Sequence, residues 1–326
     1  MGVTLSQFFP PTAGLTEANL PTQEGKVFVI TGGASGIGFE LASILYQAGG
    51  KVYIAGRSET NAKDSITKLQ ARPLTSSTQK VGTLEFLQLD LNDFNSIKSA
   101  AETFKSKESK LDVLWNNAGV SLPPLGSKSE QGYELQMATN CLGPFLLTRL
   151  LLPLLEATAK KAPEGSVRIV WTSSQIVDLS PSLAEKIMSE VTTPTADKQR
   201  NYLLTKIGNW FLANELAREV GKSGIISVSQ NPGNLKTQLM RHAMWMAYAV
   251  YAITYPAKQG AYTELWAGLS TELTMKDNGG YVIPWGRVHP APNEELLKEM
   301  GRKENGEGGV AQQFWDWCEE QTAKYM

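Results

Sequence analysis

The chain has 326 residues, of which 42% are hydrophobic, so it can bury one large α/β core or two modest ones. Its net charge is −1, from 31 basic and 32 acidic residues, and no basic stripe or charge run in the sequence suggests nucleic-acid binding. Its two cysteines, Cys141 and Cys318, are too few for a disulfide framework and favour a reduced intracellular setting. Its two histidines, His242 and His289, are too isolated to indicate a metal site or a Ser-His-Asp hydrolase.

Apolar runs typical of buried strands recur along the chain, and helical patterns lie between most of them. The predicted strands lie near residues 26–30, 51–55, 84–89, 111–115, 167–172, 225–230 and 281–283. This alternation predicts a single doubly wound α/β domain with a mainly parallel seven-stranded sheet and helices on both faces. We place the domain at residues 25–290, between an N-terminal extension, residues 1–24, and a C-terminal helical extension, residues 291–326.

A glycine-rich turn, Thr31-Gly-Gly-Ala-Ser-Gly-Ile-Gly38, follows the first strand and precedes a helical stretch at residues 39–46. Strand, glycine-rich turn and helix are the context in which a Rossmann domain binds a dinucleotide, with the pyrophosphate at the helix N-terminus. The cofactor-binding residues predicted here are Gly32, Ser35, Gly36, Ile37 and Gly38. The alternative is an ordinary tight turn, which the flanking strand and helix disfavour.

The end of the second strand bears on the choice between NAD and NADP. NAD enzymes place an acidic residue there to bind the ribose 2′-hydroxyl, whereas this strand runs into Gly56-Arg57-Ser58. A carboxylate would repel a 2′-phosphate, and Arg57 can pair with it, so NADP (NADPH) is the predicted cofactor. Glu59 lies close in sequence and counts against this prediction. A solvated surface arginine is the alternative for Arg57.

Polar residues and glycines follow most of the other predicted strands, at the edge where open parallel sheets bind ligands. Asp90 and Leu91 follow the third strand, and Asp90 is alternatively the N-cap of the next helix. Ser173 and Ser174 end the fifth strand, and Asn140 follows a helical stretch that begins at Gln131. The remaining candidates for cofactor contact are Asn117, Ala118, Gly119, Pro232, Gly233, Leu235 and Thr237.

Tyr202 and Lys206 stand four residues apart on a predicted helix, so they share one face. A phenol has a pKa near ~10 and is a poor acid or base at neutral pH. A nearby ammonium favours the phenolate and lowers that pKa, and a general acid or base works best with a pKa near the operating pH. Such a pair arises by chance in many helices, but here it accompanies the glycine-rich turn and the polar strand ends.

Taken together, these residues resemble the short-chain dehydrogenase/reductase family, over about residues 24–290. The Thr-Gly-x-x-x-Gly-x-Gly spacing of residues 31–38 is similar to the classical branch. Residues 140–148, 202–209 and 281–286 resemble the retinol-dehydrogenase and WW-domain-oxidoreductase-like group. That group is abundant in fungi and includes enzymes of natural-product (secondary metabolite) biosynthesis. Family members that use NADP often have a basic residue where this chain has Ser35.

The resemblance implies roles for four residues. Tyr202 would be the proton donor in reduction and the base in oxidation, and it would also contact the cofactor. Lys206 would lower the pKa of Tyr202 and hold the nicotinamide ribose. Ser174 would hydrogen-bond the substrate oxygen, with Ser173 as its competitor for this role. Asn140 would anchor a water that links Lys206 to solvent.

Two segments beside the predicted site are candidates for contact with the substrate. Residues 175–201 form an insertion rich in Ser, Pro, Thr and charge, which indicates a surface excursion. It either shapes the substrate mouth or makes no substrate contact. The family has a substrate flap at about residues 238–256, where an uncharged run at 243–255 is too short to cross a bilayer. This run is a lid over a bulky apolar substrate, a buried helix, or a shallow membrane contact.

We therefore predict an NADP-dependent oxidoreductase that interconverts a ketone or aldehyde and an alcohol on a bulky apolar small molecule. The alternatives are isomerisation or cyclisation with the same fold and cofactor, and a non-catalytic dinucleotide sensor. We expect a cytoplasmic location, with no nucleic-acid partner and no stable membrane insertion. Residues 1–6 fit a myristoylation pattern, but one acyl chain would bind a membrane only marginally. Helices at 140–160 and 202–220 form the dimer bundle in many relatives, which implies a homodimer, although their apolar faces would exist in a monomer too.

Overall fold

The computed structural model of the chain describes residues 2–74, 80–179, 186–236, 254–301 and 308–326. Its centre is an eight-stranded sheet in the order β10-β9-β6-β5-β4-β1-β2-β3. The strands of this sheet are β1 Val27–Thr31, β2 Lys51–Gly56, β3 Thr83–Gln88, β4 Val113–Asn116, β5 Val167–Thr172, β6 Ile225–Gln230, β9 Tyr281–Ile283 and β10 Arg287–Val288. Two short strands, β7 Leu235–Lys236 and β8 Tyr255–Pro256, pair in parallel as a separate ribbon.

Strands β1 to β6 and β9 pair in parallel, which confirms the predicted doubly wound α/β fold. The predicted count of seven strands is wrong by one, because β10 adds an antiparallel strand at the edge. The turn before β10 contains Gly286 with a φ of +99°, a conformation that favours glycine. A strand of two residues is too short to show a periodic pattern, so the sequence could not reveal it.

Helices cover both faces of the sheet, and for this reason strands such as β1 and β5 are buried at every residue. One face packs against α2, α3 and α10, with Leu41 and Leu265 in the core between them. The other face packs against α4, α6 and α9, with Phe94, Phe145 and Trp210 in the core. The helices are α1 Val3–Phe8, α2 Gly36–Gln47, α3 Glu59–Gln70, α4 Phe94–Lys107, α5 Leu135–Met137, α6 Gly143–Ala159, α7 Ile176–Leu179, α8 Ile187–Thr192, α9 Lys198–Val220, α10 Ala257–Leu269, α11 Glu294–Met300 and α12 Val310–Thr322.

The C-terminal helix α12 packs on α6 and α9. Phe314 lies so close to Gly208 of α9 that a Cβ added there would come within 2.7 Å of the Phe314 ring. Trp315 packs edge-on against Phe145 of α6, with 4.9 Å between ring centres. Phe314 and Cys318 are fully buried. Helix α12 therefore covers part of the surface of α6 and α9 on which the homodimer was predicted.

One helical stretch of the described residues, Leu135–Ala159, is long and apolar enough to span a membrane by composition. It joins α5 and α6 through a π-helical turn. In this structure, 78% of its most apolar window is buried inside the protein. We therefore describe it as a core helix, which accounts for its apolar composition without a membrane.

Candidate active site

A cleft of about 320 Å³ opens at the carboxyl ends of the parallel strands, which is where open α/β sheets bind ligands. The glycine-rich turn, the end of β2, the loops after β3, β4, β5 and β6, and one face of α9 contribute to its lining. Of the predicted site residues, the cleft is lined by Gly32, Ser35, Gly36, Ile37, Arg57, Asp90, Leu91, Asn117, Ala118, Gly119, Ser174, Tyr202, Lys206, Pro232 and Gly233.

Three other predicted site residues lie behind this lining. Gly38 belongs to α2, where an added Cβ would come within 2.7 Å of the side-chain nitrogen of Asn117. Asn140 is buried beside the cleft. Leu235 lies in β7 with its side chain against Gly260 of α10. The fourth predicted site residue absent from the lining is Thr237, which lies outside the described residues.

The glycine-rich turn has the shape of a phosphate-binding loop. Gly32 and Gly36 have φ values of +69° and +56°, which favour glycine. An added Cβ at Gly32 would also come within 3.2 Å of the backbone of Ala118. Helix α2 begins at Gly36, and Gly36 and Ile37 line the cleft. The first N–H groups of α2 and the positive end of its dipole are therefore placed to bind a pyrophosphate.

Arg57 presents a cation at the end of β2. It is exposed and lines the cleft, and its backbone carbonyl accepts a hydrogen bond from Gln88 Nε2 at 2.9 Å. Glu59, the acid that counted against NADP, forms an ion pair with Lys63 on the next turn of α3 at 2.7 Å. The carboxylate nearest in sequence to Arg57 is therefore paired with another residue.

Asp90 organises the loop after β3. Its Oδ1 accepts a hydrogen bond from the N–H of Asn92 at 2.9 Å, and its own N–H donates to Ser96 Oγ at 2.9 Å. The N-cap of α4 is Asp93, whose carboxylate accepts the N–H of Asn95 at 3.0 Å. The N-cap interpretation of Asp90 is therefore wrong.

Thr31 joins β1 to the loop after β4, and sequence reasoning did not identify it as a site residue. Its Oγ1 accepts a hydrogen bond from the N–H of Ala118 at 2.9 Å and donates to the carbonyl of Trp115 at 3.2 Å. Its carbonyl accepts a hydrogen bond from Asn117 Nδ2 at 2.7 Å. Thr31 thereby holds this loop against the glycine-rich turn. Its position as the last residue of a strand was the available signal.

Asn140 lies in the π-helical turn between α5 and α6, and such turns are frequent at functional sites. Its Oδ1 accepts the N–H of Val120 at 2.8 Å, and its Nδ2 donates to the carbonyl of Val120 and to Thr205 Oγ1, each at 3.0 Å. A Cβ added at Gly119 would lie 3.2 Å from Asn140 Oδ1 and 3.7 Å from Lys206 Nζ. Asn140 therefore fixes the loop after β4 against α9, close to Lys206.

Tyr202 and Lys206 lie one turn apart on α9 and both line the cleft. The Nζ atom of Lys206 lies 5.4 Å from the centre of the Tyr202 ring. It donates a hydrogen bond to the carbonyl of Thr172 at 2.9 Å. Lys206 is only 4% exposed, and burial lowers its pKa to about 8, an effect that Cys141 and Glu264 oppose. A lysine with this pKa can gain or lose a proton near physiological pH.

Burial raises the pKa of the Tyr202 phenol above its ordinary value of 10.0, and a hydrogen bond with Ser174 opposes this rise. The expectation that Lys206 lowers this pKa is therefore not met in this structure. The physical reason is that removing the phenolate from water costs more free energy than the hydrogen bond with Ser174 restores. The ammonium of Lys206 is directed at the carbonyl of Thr172.

The two adjacent serines have different partners. The hydroxyl of Ser174 is hydrogen-bonded to Tyr202 in the cleft. Ser173 is 2% exposed, and its Oγ donates to the backbone carbonyl of Lys206 at 2.7 Å. Tyr281 donates to Ser173 Oγ at 3.4 Å and to the carbonyl of Ser174 at 2.8 Å. This geometry favours Ser174 as the hydroxyl that faces a substrate oxygen, whereas Ser173 connects β5 to α9.

The N-terminal helix α1 connects the loops that follow β5 and β6, which sequence reasoning did not detect. Gln7 of α1 is 1% exposed. Its Nε2 donates to Asp178 Oδ2 at 2.8 Å, and its Oε1 accepts from Asn231 Nδ2 at 2.8 Å. His289 Nε2 lies 3.3 Å from the same Asp178 oxygen, and Tyr255 of β8 donates to the backbone carbonyl of the residue after Gln7 at 3.1 Å.

The insertion at residues 175–201 is more deeply packed than a surface excursion. Its described part contains α7 and α8, and Val177, Ile187 and Val191 are buried in the same core as α9. Its contact with a substrate stays a prediction. Of the predicted flap at 238–256, residues 238–253 lie outside the described residues. The three interpretations of the apolar run therefore also stay predictions.

Other reactive side chains lie apart from the cleft. Cys141 and Cys318 are free and buried, and burial raises the pKa of each thiol, which disfavours a reactive thiolate. Within the described ranges, no group of three or more His, Cys, Asp and Glu side chains is placed to hold a metal ion.

The fold and the cleft define an α/β domain built to bind a dinucleotide. The chain belongs to the short-chain dehydrogenase/reductase family, a family of oxidoreductases, and the family model for short chain dehydrogenases matches residues 26–182. It is 43% identical over 324 residues to the short-chain dehydrogenase/reductase iacJ of Pestalotiopsis fici, covering 98% of this chain and 97% of that protein. It is 41% identical over 328 residues to a short-chain dehydrogenase/reductase of Phomopsis amygdali, covering 98% and 96%.

Solved structures share the fold. An uncharacterized protein from Mycobacterium Paratuberculosis has a TM-score of 0.67 and 26% identity, covering 95% of this chain and 98% of that one. The NADP active-site complex of RhlG from Pseudomonas aeruginosa has a TM-score of 0.62 and 24% identity, covering 81% and 96%. The NADH complex of 3-ketoacyl-(acyl-carrier-protein) reductase from Brucella melitensis has a TM-score of 0.59 and 22% identity, covering 80% and 96%. The last two likenesses show the fold alone.

Proposed function

We propose that this chain is an NADP-dependent enzyme that interconverts a ketone or aldehyde and an alcohol on a bulky apolar small molecule. The observation that carries this proposal is the placement of Tyr202, Lys206 and Ser174 in the same cleft as the glycine-rich turn. A phenol, an ammonium and a hydroxyl in this arrangement are suited to moving a proton to or from a substrate oxygen and to stabilising charge on it.

The residues that line the cleft fit a nicotinamide dinucleotide. The positive φ values of Gly32 and Gly36 shape the turn that brings the first turn of α2 to the cleft, where its N–H groups would bind a pyrophosphate. Lys206 would hold the nicotinamide ribose, and Pro232 and Gly233 would border the nicotinamide. NADPH, when bound, supplies the hydride that the carbonyl carbon receives.

In the reductive direction, Tyr202 donates its phenolic proton to the substrate oxygen, so that hydride and proton together convert the carbonyl to an alcohol. In the oxidative direction, the phenolate accepts that proton. Ser174 hydrogen-bonds the substrate oxygen and stabilises the negative charge that develops on it. The hydrogen bond with Ser174 offsets part of the rise in the pKa of Tyr202 that burial causes. The ammonium of Lys206, 5.4 Å from the centre of the Tyr202 ring, would supply positive charge beside the phenolate. Asn140, which fixes the loop beside Lys206, is suited to hold a water between Lys206 and solvent.

Arg57 supports NADP as the cofactor. Its guanidinium is exposed at the end of β2, where the 2′-substituent of the adenosine ribose is bound in such folds. The nearby Glu59 forms an exposed ion pair with Lys63, which offsets part of its repulsion of a 2′-phosphate. Solved relatives of the fold with NADP and with NADH both exist, so this proposal depends on Arg57.

The setting of the enzyme is proposed on general grounds. A cytoplasmic location agrees with the burial of the helical stretch Leu135–Ala159 in the core. A role in natural-product biosynthesis follows the fungal group that the sequence resembles. Helix α12 covers part of the surface of α6 and α9 on which a homodimer was predicted, so we propose that any dimer uses a different surface.

Purified protein mixed with NADPH and a panel of small and bulky ketones and aldehydes tests this function, with nicotinamide absorbance as the readout. We expect oxidation of NADPH with the bulky apolar carbonyls, and a loss of about 10²–10⁴-fold in kcat for Tyr202→Phe, because only the phenolic proton is removed. NADPH should bind to this variant with nearly unchanged affinity. NADPH binding with no oxidation by any carbonyl would contradict the proposal and favour isomerisation, cyclisation or a sensor.

A further inference from the structure

A second acid lies beneath the cleft. Glu264 of α10 is 0% exposed. Its Oε1 accepts hydrogen bonds from Thr172 Oγ1 and Gln230 Nε2, each at 2.8 Å. Gln230 Nε2 also donates to Thr172 Oγ1 at 3.1 Å. The three side chains therefore form a closed, fully buried polar triangle under the ends of β5 and β6.

Two oxygens of this triangle, Glu264 Oε2 and Gln230 Oε1, have no hydrogen-bond partner among the described residues. An ionised carboxylate accepts hydrogen bonds at both oxygens. Burying an ionised carboxylate that has donors at only one of its oxygens costs free energy. The geometry therefore favours a neutral carboxylic acid at Glu264. In agreement, burial raises the pKa of Glu264 from 4.5 to about 8, and Thr172 and Lys206 oppose this rise.

Thr172 connects this acid to Lys206. The carbonyl of Thr172 accepts hydrogen bonds from Lys206 Nζ at 2.9 Å and from Asn209 Nδ2 at 3.1 Å. Its hydroxyl donates to Glu264. Helix α10 packs on one face of the sheet, and α9, which carries Lys206, packs on the other. An acid from one face and an ammonium from the other thus bind the same residue at the end of β5.

We propose that Glu264 is a positioning residue of the active site: through Thr172 it holds the carbonyl that binds Lys206, and its carboxylate stabilises the charged form of Lys206 at alkaline pH. This inference rests on the proposed function, because it concerns the charge of the lysine that assists Tyr202. Within the described part of the chain, Lys206 is the charged group that lowers the pKa of Glu264. Cys141 also raises the pKa of Lys206, and the centre of the Tyr202 ring lies 5.4 Å from its Nζ.

The pH dependence of carbonyl reduction provides the first test. In wild type, ionisation of Glu264 near pH 8 should keep Lys206 charged at higher pH. Glu264→Gln keeps the size and the hydrogen-bonding capacity of the side chain but removes its charge. The alkaline limb of kcat/KM should move to lower pH by up to about one unit, because Glu264 is connected to Lys206 through Thr172 and not by direct contact. Gln230→Leu, which removes a donor to the carboxylate, should move the limb in the same direction.

The pH dependence of thermal unfolding provides a second test that needs no turnover. A carboxyl with a raised folded-state pKa contributes stability that is complete below pH 4.5 and is lost as the pH rises to about 8. The melting temperature of wild type should therefore fall relative to that of Glu264→Gln between pH 5 and 8. This result would stand even if no carbonyl substrate were turned over, so failure of the proposed function is distinguishable from failure of this inference.

Thr263→Val is the matched control, because Thr263 precedes Glu264 on α10 and its buried hydroxyl has no hydrogen-bond partner among the described residues. We expect its alkaline limb and its melting profile to follow those of wild type. An unmoved alkaline limb in an active Glu264→Gln variant would overturn the proposal. Melting profiles with the same pH dependence in wild type and Glu264→Gln would also overturn it, as would an equal shift in Thr263→Val.

Discussion

The cofactor side of the cleft and the side bordered by α1 are built in different ways. The cofactor side is lined by short contiguous segments, such as Ser35 to Ile37 and Asn117 to Gly119. The α1 side, meaning α1 with the loops after β5 and β6, depends on single side chains that join distant parts of the chain. Gln7 is bonded to Asp178 and Asn231, which are 171 and 224 residues away in sequence.

This difference decides what each side can tolerate. A phosphate-binding turn needs backbone geometry and a helix end, which a few adjacent residues determine. The α1 side needs buried polar groups from several elements to form hydrogen bonds with one another, since an unpaired buried polar group costs about 1–3 kcal/mol of stability. We therefore expect changes on the cofactor side to alter affinity for the dinucleotide. Changes on the α1 side should alter stability and substrate binding together.

The largest effect is expected at Lys206, which lines the cleft beside Tyr202. Lys206→Ala should lower kcat by about 10²–10⁴-fold, because the variant loses the ammonium that assists proton transfer. It should also lower the affinity for NADPH, because Lys206 is proposed to hold the nicotinamide ribose. Single-turnover rates and NADPH titrations measure these two losses separately. An unchanged NADPH affinity would contradict the ribose contact.

Asn209 provides the control for this variant. It lies on the same helix and donates to the same Thr172 carbonyl at 3.1 Å, but it does not line the cleft. Asn209→Ala removes a hydrogen bond to that carbonyl and leaves the ammonium of Lys206 in place. We expect a much smaller loss of kcat. An equal loss would show that the carbonyl, and not the charge of Lys206, carries the effect.

A smaller effect is expected at Arg57, on the cofactor side alone. A charge-assisted contact with phosphate contributes about 1.5–3 kcal/mol. Arg57→Ala should therefore lower the affinity for NADPH by roughly tenfold to a hundredfold, with little change in the affinity for NADH. Arg57→Lys keeps the charge without the planar fork and should recover part of the loss. Equal losses for NADPH and NADH would show that Arg57 does not bind the 2′-phosphate.

The same difference explains what the sequence could predict. The seven parallel strands and the pairing of Tyr202 with Lys206 follow from periodic patterns and local spacing. The choice between Ser173 and Ser174 did not, because both end the same strand and only the fold shows that Ser173 Oγ is bonded to the carbonyl of Lys206. The contacts of Gln7 and Glu264 also left no pattern, because isolated polar residues have many alternative partners until the chain is folded.

The last comparison concerns the α1 side alone. Gln7→Leu keeps a buried side chain of similar size but removes the bonds to Asp178 Oδ2 and Asn231 Nδ2. The free energy of unfolding should fall by about 1–3 kcal/mol, because these groups stay buried with fewer partners. Ser6→Ala is the control, since the Ser6 hydroxyl is bonded to the carbonyl of Val3 within α1. It should leave stability close to that of wild type.

The kinetic consequence of Gln7→Leu separates the two sides of the cleft. The loop after β5 carries Ser174, so a looser α1 side should raise KM for a bulky ketone by a few-fold. Asn231 remains bonded to the N–H of Gly233 through its Oδ1 at 2.9 Å, which holds the cofactor side of the loop after β6 in place. The Kd for NADPH should therefore change less than the KM. A loss of NADPH affinity as large as the rise in KM would show that Gln7 supports both sides, and the distinction between them would fail.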